Sequence, residues 1–237
     1  MTPDEQQLLQ DTYRLLANTA LAQLPPAVSF QPAPEPSLPR LLDGVRIAIA
    51  RDTAFSFIYP ANLDCLQAMG AQLRFFSPLA GEDLPDCDAV WLAGGYPELH
   101  TKALQANQGL QASLRAHWQA DKPIWAECGG MVALSEGITD LQGQFHPLWG
   151  LLPGRATLQP RLAGLGMQQL DGPWGVLRGH CFHYSRLESP VPECGRSHRP
   201  DQGVQPGQGE ALYQLGSLDR KSTRLNSSHG YISYAVF

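Results

Sequence analysis

"DAVWLAGGYPEL", residues 88–99, decides how this chain folds. Ala89 to Ala93 form an unbroken apolar run, the pattern of a strand covered on both faces, and the run stops at Gly94-Gly95. Pro97 then suits the first position of a helix, and Glu98 complements the positive end of that helix; a turn alone explains Tyr96, Pro97 and Glu98. Outward from this unit the order repeats. "VRIAIA" (45–50), "QLRFF" (72–76) and "PIWA" (123–126) read as further strands, and Pro60 to Met69 as a helix closed by Gly70. Strands alternating with helices imply an α/β fold, a mostly parallel sheet flanked by helices. Such sheets place their active sites at the carboxyl ends of strands.

Two loops lie at such ends: the glycine pair after Ala93 and the stretch after Ala126 in "PIWAECGGMVAL" (123–134). A cysteine at the step from strand into helix points its sulfur out of the sheet. Backbone N–H groups and the positive helix end behind it favour the thiolate, so the expected pKa of Cys128 is low. Gly129 and Gly130 permit a tight turn and let a carbonyl approach the main chain. The N–H of Gly129 is one natural oxyanion donor, and the Gly94-Gly95 loop offers a second, as a tetrahedral acyl-transfer intermediate requires. Glu127 reads equally as a substrate-facing or a strand-end residue.

Composition narrows the field. With 237 residues and 43% apolar content the chain can bury one full core, and a net charge of −5 gives no basis for nucleic-acid binding. No apolar run reaches membrane-spanning length and no secretion signal opens the chain, so a cytoplasmic location without membrane contact is expected. Five cysteines (Cys65, Cys87, Cys128, Cys181, Cys194) show no C-x-x-C pairing, which argues against a disulfide framework or zinc ribbon. Cys65, Cys87 and Cys194 read as inert. In "RGHCFHYS" (178–185), strand alternation sets His180 on one face and Cys181 with His183 on the other. A zinc site would need further ligands that spacing does not reveal, so no metal is assigned. His100, His117 and His146 read as packed or solvated imidazoles.

The beginning of the chain has another character. Thr2, Pro3 and Glu5 form a capping-box helix start, and Leu9, Tyr13, Leu16 and Ala20 recur at helical spacing. Six prolines between Pro25 and Pro39 exclude a helix or inner strand. The expected organisation is a remnant of a larger N-terminal domain over 1–24, a proline-rich linker over 25–44 and the α/β domain over 45–218.

Four blocks carry a resemblance: "DTAFSFIYPANLDCLQAMGAQLRFFSPL" (52–79), "LAGGYPEL" (92–99), "PIWAECGGMVAL" and "RGHCFHYS". In this order they resemble the C-terminal glutaminase domain of the cobyrinic acid a,c-diamide synthase family, of the cobalamin pathway. The resemblance implies a class I glutamine amidotransferase-like, flavodoxin-like fold in which a cysteine attacks the side-chain amide of glutamine and releases ammonia. It implies Cys128 as nucleophile and Gly95 and Gly129 as oxyanion-hole residues. The general elbow G-x-C-x-G is met with Ala126 in place of its first glycine. The implied partners are glutamine, a corrinoid acceptor and an ATP-binding synthetase domain. No G-x-x-x-x-G-K-[ST] loop occurs, and the lysines are Lys102, Lys122 and Lys221, so ATP and Mg2+ are expected on that N-terminal domain and no cofactor on this chain.

Two departures bear on chemistry. Cys181 stands where the family commonly has an acidic residue. The family's catalytic histidine follows a Ser-Tyr-x-His context soon after a segment like "GEALYQLGSL" (209–218), whereas this chain continues "DRKSTRLNSSHGYISYAVF", read as a non-native tail over 219–237 in which His229 is not the expected base. Two alternatives keep the fold: a noncatalytic docking module, and the glutaminase of a related tetrapyrrole or cobyric acid amidating synthetase. A stress-type cysteine hydrolase lacks support from the second and fourth blocks.

Overall fold

The computed structural model describes residues 2–20, 23, 26–29, 38–172, 175–203 and 209–215, together with the backbone of 231–233. Contacts divide the chain into two units, 1–37 and 38–237. In the first, α1 (Pro3–Leu16) opens on the expected capping box: Thr2 N–H donates to Glu5 Oε2 at 2.6 Å and Glu5 N–H to Thr2 Oγ1 at 3.3 Å. None of its residues is buried within this chain. His229 and most of the tail lie outside the described residues.

In the second unit the apolar runs become β1 (Arg46–Ala50), β2 (Gln72–Phe76), β3 (Ala89–Leu92) and β4 (Ile124–Ala126). They form one parallel sheet in the order β2-β1-β3-β4, with Ala50 opposite Leu92 and Leu92 opposite Ala126. This order reverses direction between β1 and β3, the point at which open α/β sheets form a crevice beyond their carboxyl ends. Helix α2 (Pro60–Ala68) links β1 to β2, while α3 (Thr101–Ala106) and α4 (Gln108–Gln119) link β3 to β4.

The unbroken apolar pattern has a direct structural cause. Ile47, Ile49, Trp91 and Ala93 pack on one face with Leu63 and Leu66 of α2. Ala48, Ala50, Val90 and Leu92 face the other way, against Leu104 of α3 and Leu110 and Leu114 of α4. Both faces are covered, so alternate positions are all apolar. At the amino end, Arg46 ties β1 to β3 through Asp88, with guanidinium contacts of 2.9 and 2.7 Å.

Beyond β4 the architecture changes. Helix α5 (Gly129–Leu134) is wholly buried and runs into β5 (Ser135–Thr139), β6 (Phe145–Pro147) and β7 (Leu152–Leu158). These join β10 (Ser185–Glu188) in a second sheet, ordered β10-β7-β5-β6, in which only the β5–β7 pair is parallel. Between them β8 (Gly164–Gly172) and β9 (Gly175–His183) make an antiparallel ribbon. Then β11 (Glu193–Arg196), β12 (Ala211–Gln214) and β13 (Tyr231–Ser233) pair antiparallel. Trp149, just before β7, ties this half to the segments flanking the first sheet: its indole donates to Leu104 O of α3 at 3.1 Å and its ring stacks on Phe55, which follows β1. No helix among the described residues is long and apolar enough to cross a membrane.

Candidate active site

Cys128 occupies the step from β4 into α5 with φ +46° and ψ −112°, a left-handed backbone value that a non-glycine residue adopts only when its surroundings enforce it. The enforcing contacts are visible. Glu127 N–H donates to Leu92 O at 3.0 Å, Gly130 N–H to Glu127 O at 2.7 Å and Val132 N–H to Cys128 O at 3.1 Å, which fold the chain sharply between strand and helix. A side chain on Gly129 would stand 2.7 Å from Gly95 O, so the two glycine loops meet backbone to backbone. One on Gly95 would stand 2.1 Å from Ala54 O. The glycines are there to let three main-chain segments converge on one sulfur.

Both sequence-predicted oxyanion residues come to the nucleophile candidate: the backbone amides of Gly95 and Gly129 lie near enough to the Cys128 sulfur to favour its thiolate. The predicted low pKa is not met. Burial dominates and pushes the half-buried thiol up to about 11; the two amides pull it down, while Glu98 and Glu127 push it further up. The helix end was expected to outweigh burial, but α5 is a single buried turn and a half, hemmed in by two carboxyl groups.

Those carboxyl groups extend the site beyond the sequence reading. Glu98, a turn residue by sequence, lines the cleft beside Cys128, and burial raises its pKa. It sits in a 3-10 turn, Pro97–Leu99, that starts at Pro97 as expected. Glu127 is resolved as an inward residue, 6% exposed, with its carboxyl raised to about 7 by burial and partly offset by the Trp125 indole N–H it accepts from.

The opposite wall of the cleft is the fourth sequence block. Phe182, His183, Tyr184 and Ser185 line it with Phe57, Gly95, Tyr96, Cys128, Gly129 and Val132. Two edge-to-face aromatic pairs, Phe57 with Tyr96 and Phe182 with Tyr184, border it. Strand alternation holds here: His180 is exposed, Cys181 and His183 buried. His183 donates from Nδ1 to Ser185 O at 2.8 Å, and its Nε2 stands 3.0 Å from Glu210 Oε1, while Cys181 Sγ–H donates to the same oxygen at 3.1 Å. Glu210 was missed because no spacing rule links it to Cys181, 29 residues earlier. The other histidines are as read: His117 is buried with its pKa lowered by burial, and His146 pairs with Asp140 at 2.8 Å.

Residues 46–212 match the CobB/CobQ-like glutamine amidotransferase domain. The chain belongs to this family. It is 50% identical over 203 residues to the hydrogenobyrinate a,c-diamide synthase of Stutzerimonas stutzeri, covering 86% of this chain and 46% of that protein. It is likewise 50% identical over 183 residues to the cobyrinate a,c-diamide synthase of Herminiimonas arsenicoxydans, covering 77% and 41%. The chain thus spans less than half the length of these curated relatives. A solved glutamine amidotransferase shares the fold, with a TM-score of 0.52 at 14% identity over 79% of this chain and 88% of that one. The class I amidotransferase-like α/β fold expected from the sequence is the fold of the family.

Proposed function

We propose that this chain is the glutamine-hydrolysing domain of an ATP-dependent cobyrinate or hydrogenobyrinate a,c-diamide synthase, which supplies ammonia for amidation of corrin carboxylates. The observation that carries the reading is the pairing of a strained Cys128 with the Gly95 and Gly129 amides at the carboxyl end of the sheet. In the proposed reaction Cys128 Sγ bonds to the side-chain carbonyl carbon of glutamine. The carbonyl oxygen gains negative charge and shifts onto the two amides, which are already in place and need no reorganisation. The C–N bond breaks as ammonia takes up a proton, and water then cleaves the thioester to glutamate. With the thiol held near 11, its proton must be taken by a base as the sulfur attacks.

Glu98 supplies the anchor in this reading. A half-buried carboxyl raised by burial gains from a cationic partner, and the α-ammonium of glutamine is such a group. ATP and Mg2+ belong to the synthetase domain, of which α1 would be the last helix and the proline-rich stretch the tether. Residues 219–237 are proposed to be non-native, which leaves the family's histidine to the native continuation.

Covalent trapping tests the assignment. A glutamine-derived diazoketone is expected to label Cys128, read by peptide mass mapping; absence of any adduct there, even in the two-domain protein with a native C-terminus, would remove Cys128 from the nucleophile role. In that protein Glu98→Gln should raise KM for glutamine at least tenfold with a smaller change in kcat, because it removes binding made equally in ground and transition states. The noncatalytic docking reading is favoured by the raised thiol pKa, and ammonia release from glutamine by this chain alone would end it.

A further inference from the structure

Adjoining the nucleophile cleft, and sharing His183 with it, lies a cluster of side chains to which the proposed glutamine hydrolysis assigns no role. Cys181 Sγ, His183 Nε2 and a Glu210 carboxylate oxygen converge so that all three lie within 4.8 Å of one another. Cys181 is 1% exposed and the His183 and Glu210 side chains 8% and 15%. They come from two elements, β9 and the residue before β12, brought together by the fold.

We propose that Cys181, His183 and Glu210 form a binding site for a zinc-type transition-metal ion, with the adjoining cavity supplying an open fourth position.

Four observations carry this. First, the donor set of one thiolate, one imidazole and one carboxylate suits a borderline-soft divalent ion such as zinc. Second, the separations fit. A tetrahedral ion with bonds of about 2.0 to 2.3 Å holds its ligand atoms roughly 3.3 to 3.8 Å apart. Glu210 Oε1 stands 3.0 Å from His183 Nε2 and 3.1 Å from Cys181 Sγ, so a small outward relaxation admits the ion. Third, His183 is oriented as metal-bound histidines are. A carbonyl can only accept, so His183 donates Nδ1–H to Ser185 O at 2.8 Å, an outer hydrogen bond of the kind that orients metal-bound histidines, and this turns Nε2 towards Glu210 Oε1, 3.0 Å away.

Fourth, room has been left at this point. Gly164 of β8 faces all three donors: a Cβ there would stand 2.3 Å from His183 Nε2, 2.5 Å from Cys181 Sγ and 2.7 Å from Glu210 Oε1. Gly164, His183 and Glu210 also line a cavity of about 560 Å³, which gives the ion an access route and a place for a bound water. On binding, the Cys181 S–H proton leaves to solvent as the sulfur–metal bond forms. No oxidation is involved. Because His183 also lines the Cys128 cleft, the ion would clamp β9 to β12 and fix one wall of that cleft.

Cobalt(II) reports such a site optically. The probe is the full chain carrying Cys65→Ser and Cys194→Ser, which removes the two exposed thiols. One equivalent of Co2+ is expected to produce thiolate-to-cobalt charge-transfer absorption with the strong visible bands of tetrahedral coordination, displaced by Zn2+. Cys181→Ser should abolish the charge-transfer band, Glu210→Gln should weaken Co2+ binding at least tenfold, and Cys128→Ser should leave the spectrum unchanged. Gly164→Ala should also abolish binding, with far-ultraviolet circular dichroism establishing that each variant is folded. Absence of the band with Co2+ at about 1 mM, its persistence in Cys181→Ser, or its loss in Cys128→Ser would overturn the proposal.

Discussion

Cys87 and Cys128 lie at opposite ends of the same parallel sheet and carry thiols pushed up to about the same value, 11, with burial the leading cause for both. Cys87 has what a search for catalytic pairs would look for: a histidine, His117, with Nδ1 3.7 Å from its sulfur. Yet His117 also donates from Nε2 to Pro123 O at 3.2 Å, both residues are buried, and a single amide, that of Ala48, reaches the sulfur. Cys128 is half-buried, on a strained turn, with two amides from separate loops and an adjoining cleft. The contrast teaches that position relative to the strand ends, and main-chain donors aimed at one point, distinguish the proposed nucleophile from a packed thiol. Acidity does not, and neither does a neighbouring imidazole.

The largest expected effect separates the two sulfurs outright. In the two-domain protein Cys128→Ser should lower glutamine hydrolysis by roughly 10⁴-fold or more, as losing a nucleophile does, whereas Cys87→Ser should leave kcat within about twofold. Equal losses would break the comparison. A smaller effect tests the amides. Gly95→Ala places a methyl group 2.1 Å from Ala54 O, so the loop must move and one oxyanion donor with it; kcat should fall by about 10²- to 10³-fold. Gly94→Ala is the milder neighbour: its added carbon meets Phe57 Cδ2 at 3.2 Å and Cys128 Cβ at 3.3 Å, side-chain contacts that yield by a few tenths of an ångström, so its loss of kcat should be smaller than that of Gly95→Ala. If Gly94→Ala proved the worse of the two, crowding of the Cys128 side chain would outweigh displacement of the Gly95 amide.

The same contrast explains what the sequence made legible. The parallel sheet was readable because burial on both faces makes each strand an unbroken apolar word, as in Val90, Trp91 and Leu92, and because Gly94-Gly95 and Gly129-Gly130 punctuate the strand ends. The elbow was readable for the same reason, since close backbone approach admits only glycine. What could not be read is whatever depends on distant segments meeting. Glu98 entered the cleft through the placement of its 3-10 turn, and Glu210 reached Cys181 through pairing of strands far apart in the chain. In the mostly antiparallel half after Ser135, alternation marked the end of β9 around His180 to His183, whereas the short strands and shifted registers of β5, β7, β11 and β12 left no comparable periodic signal. The thiol pKa was misread because the dipole of a short helix was weighed without the desolvation and the two carboxyl groups that oppose it.

Glu127 offers the smallest effect and the sharpest test of that last point. Its carboxyl, raised from 4.5 to about 7 chiefly by burial, binds a proton in the folded chain over a range where the unfolded chain has released it. Between those values the folded state holds more protons than the unfolded state, so stability is fully present below about pH 4.5 and is lost as pH rises through about 7, by on the order of 3 kcal/mol. Glu127→Gln keeps an oxygen to accept the Trp125 indole N–H and removes the ionisation. Urea unfolding midpoints measured from pH 4.5 to 8 should therefore decline in the wild type and run flatter in the variant. Ionised Glu127 also raises the Cys128 thiol, so iodoacetamide alkylation of Cys128 should shift to lower pH in Glu127→Gln while alkylation of Cys87 stays where it was. Parallel stability curves, or a shift shared by both thiols, would show that the carboxyl acts on the fold as a whole and not on the nucleophile's own surroundings.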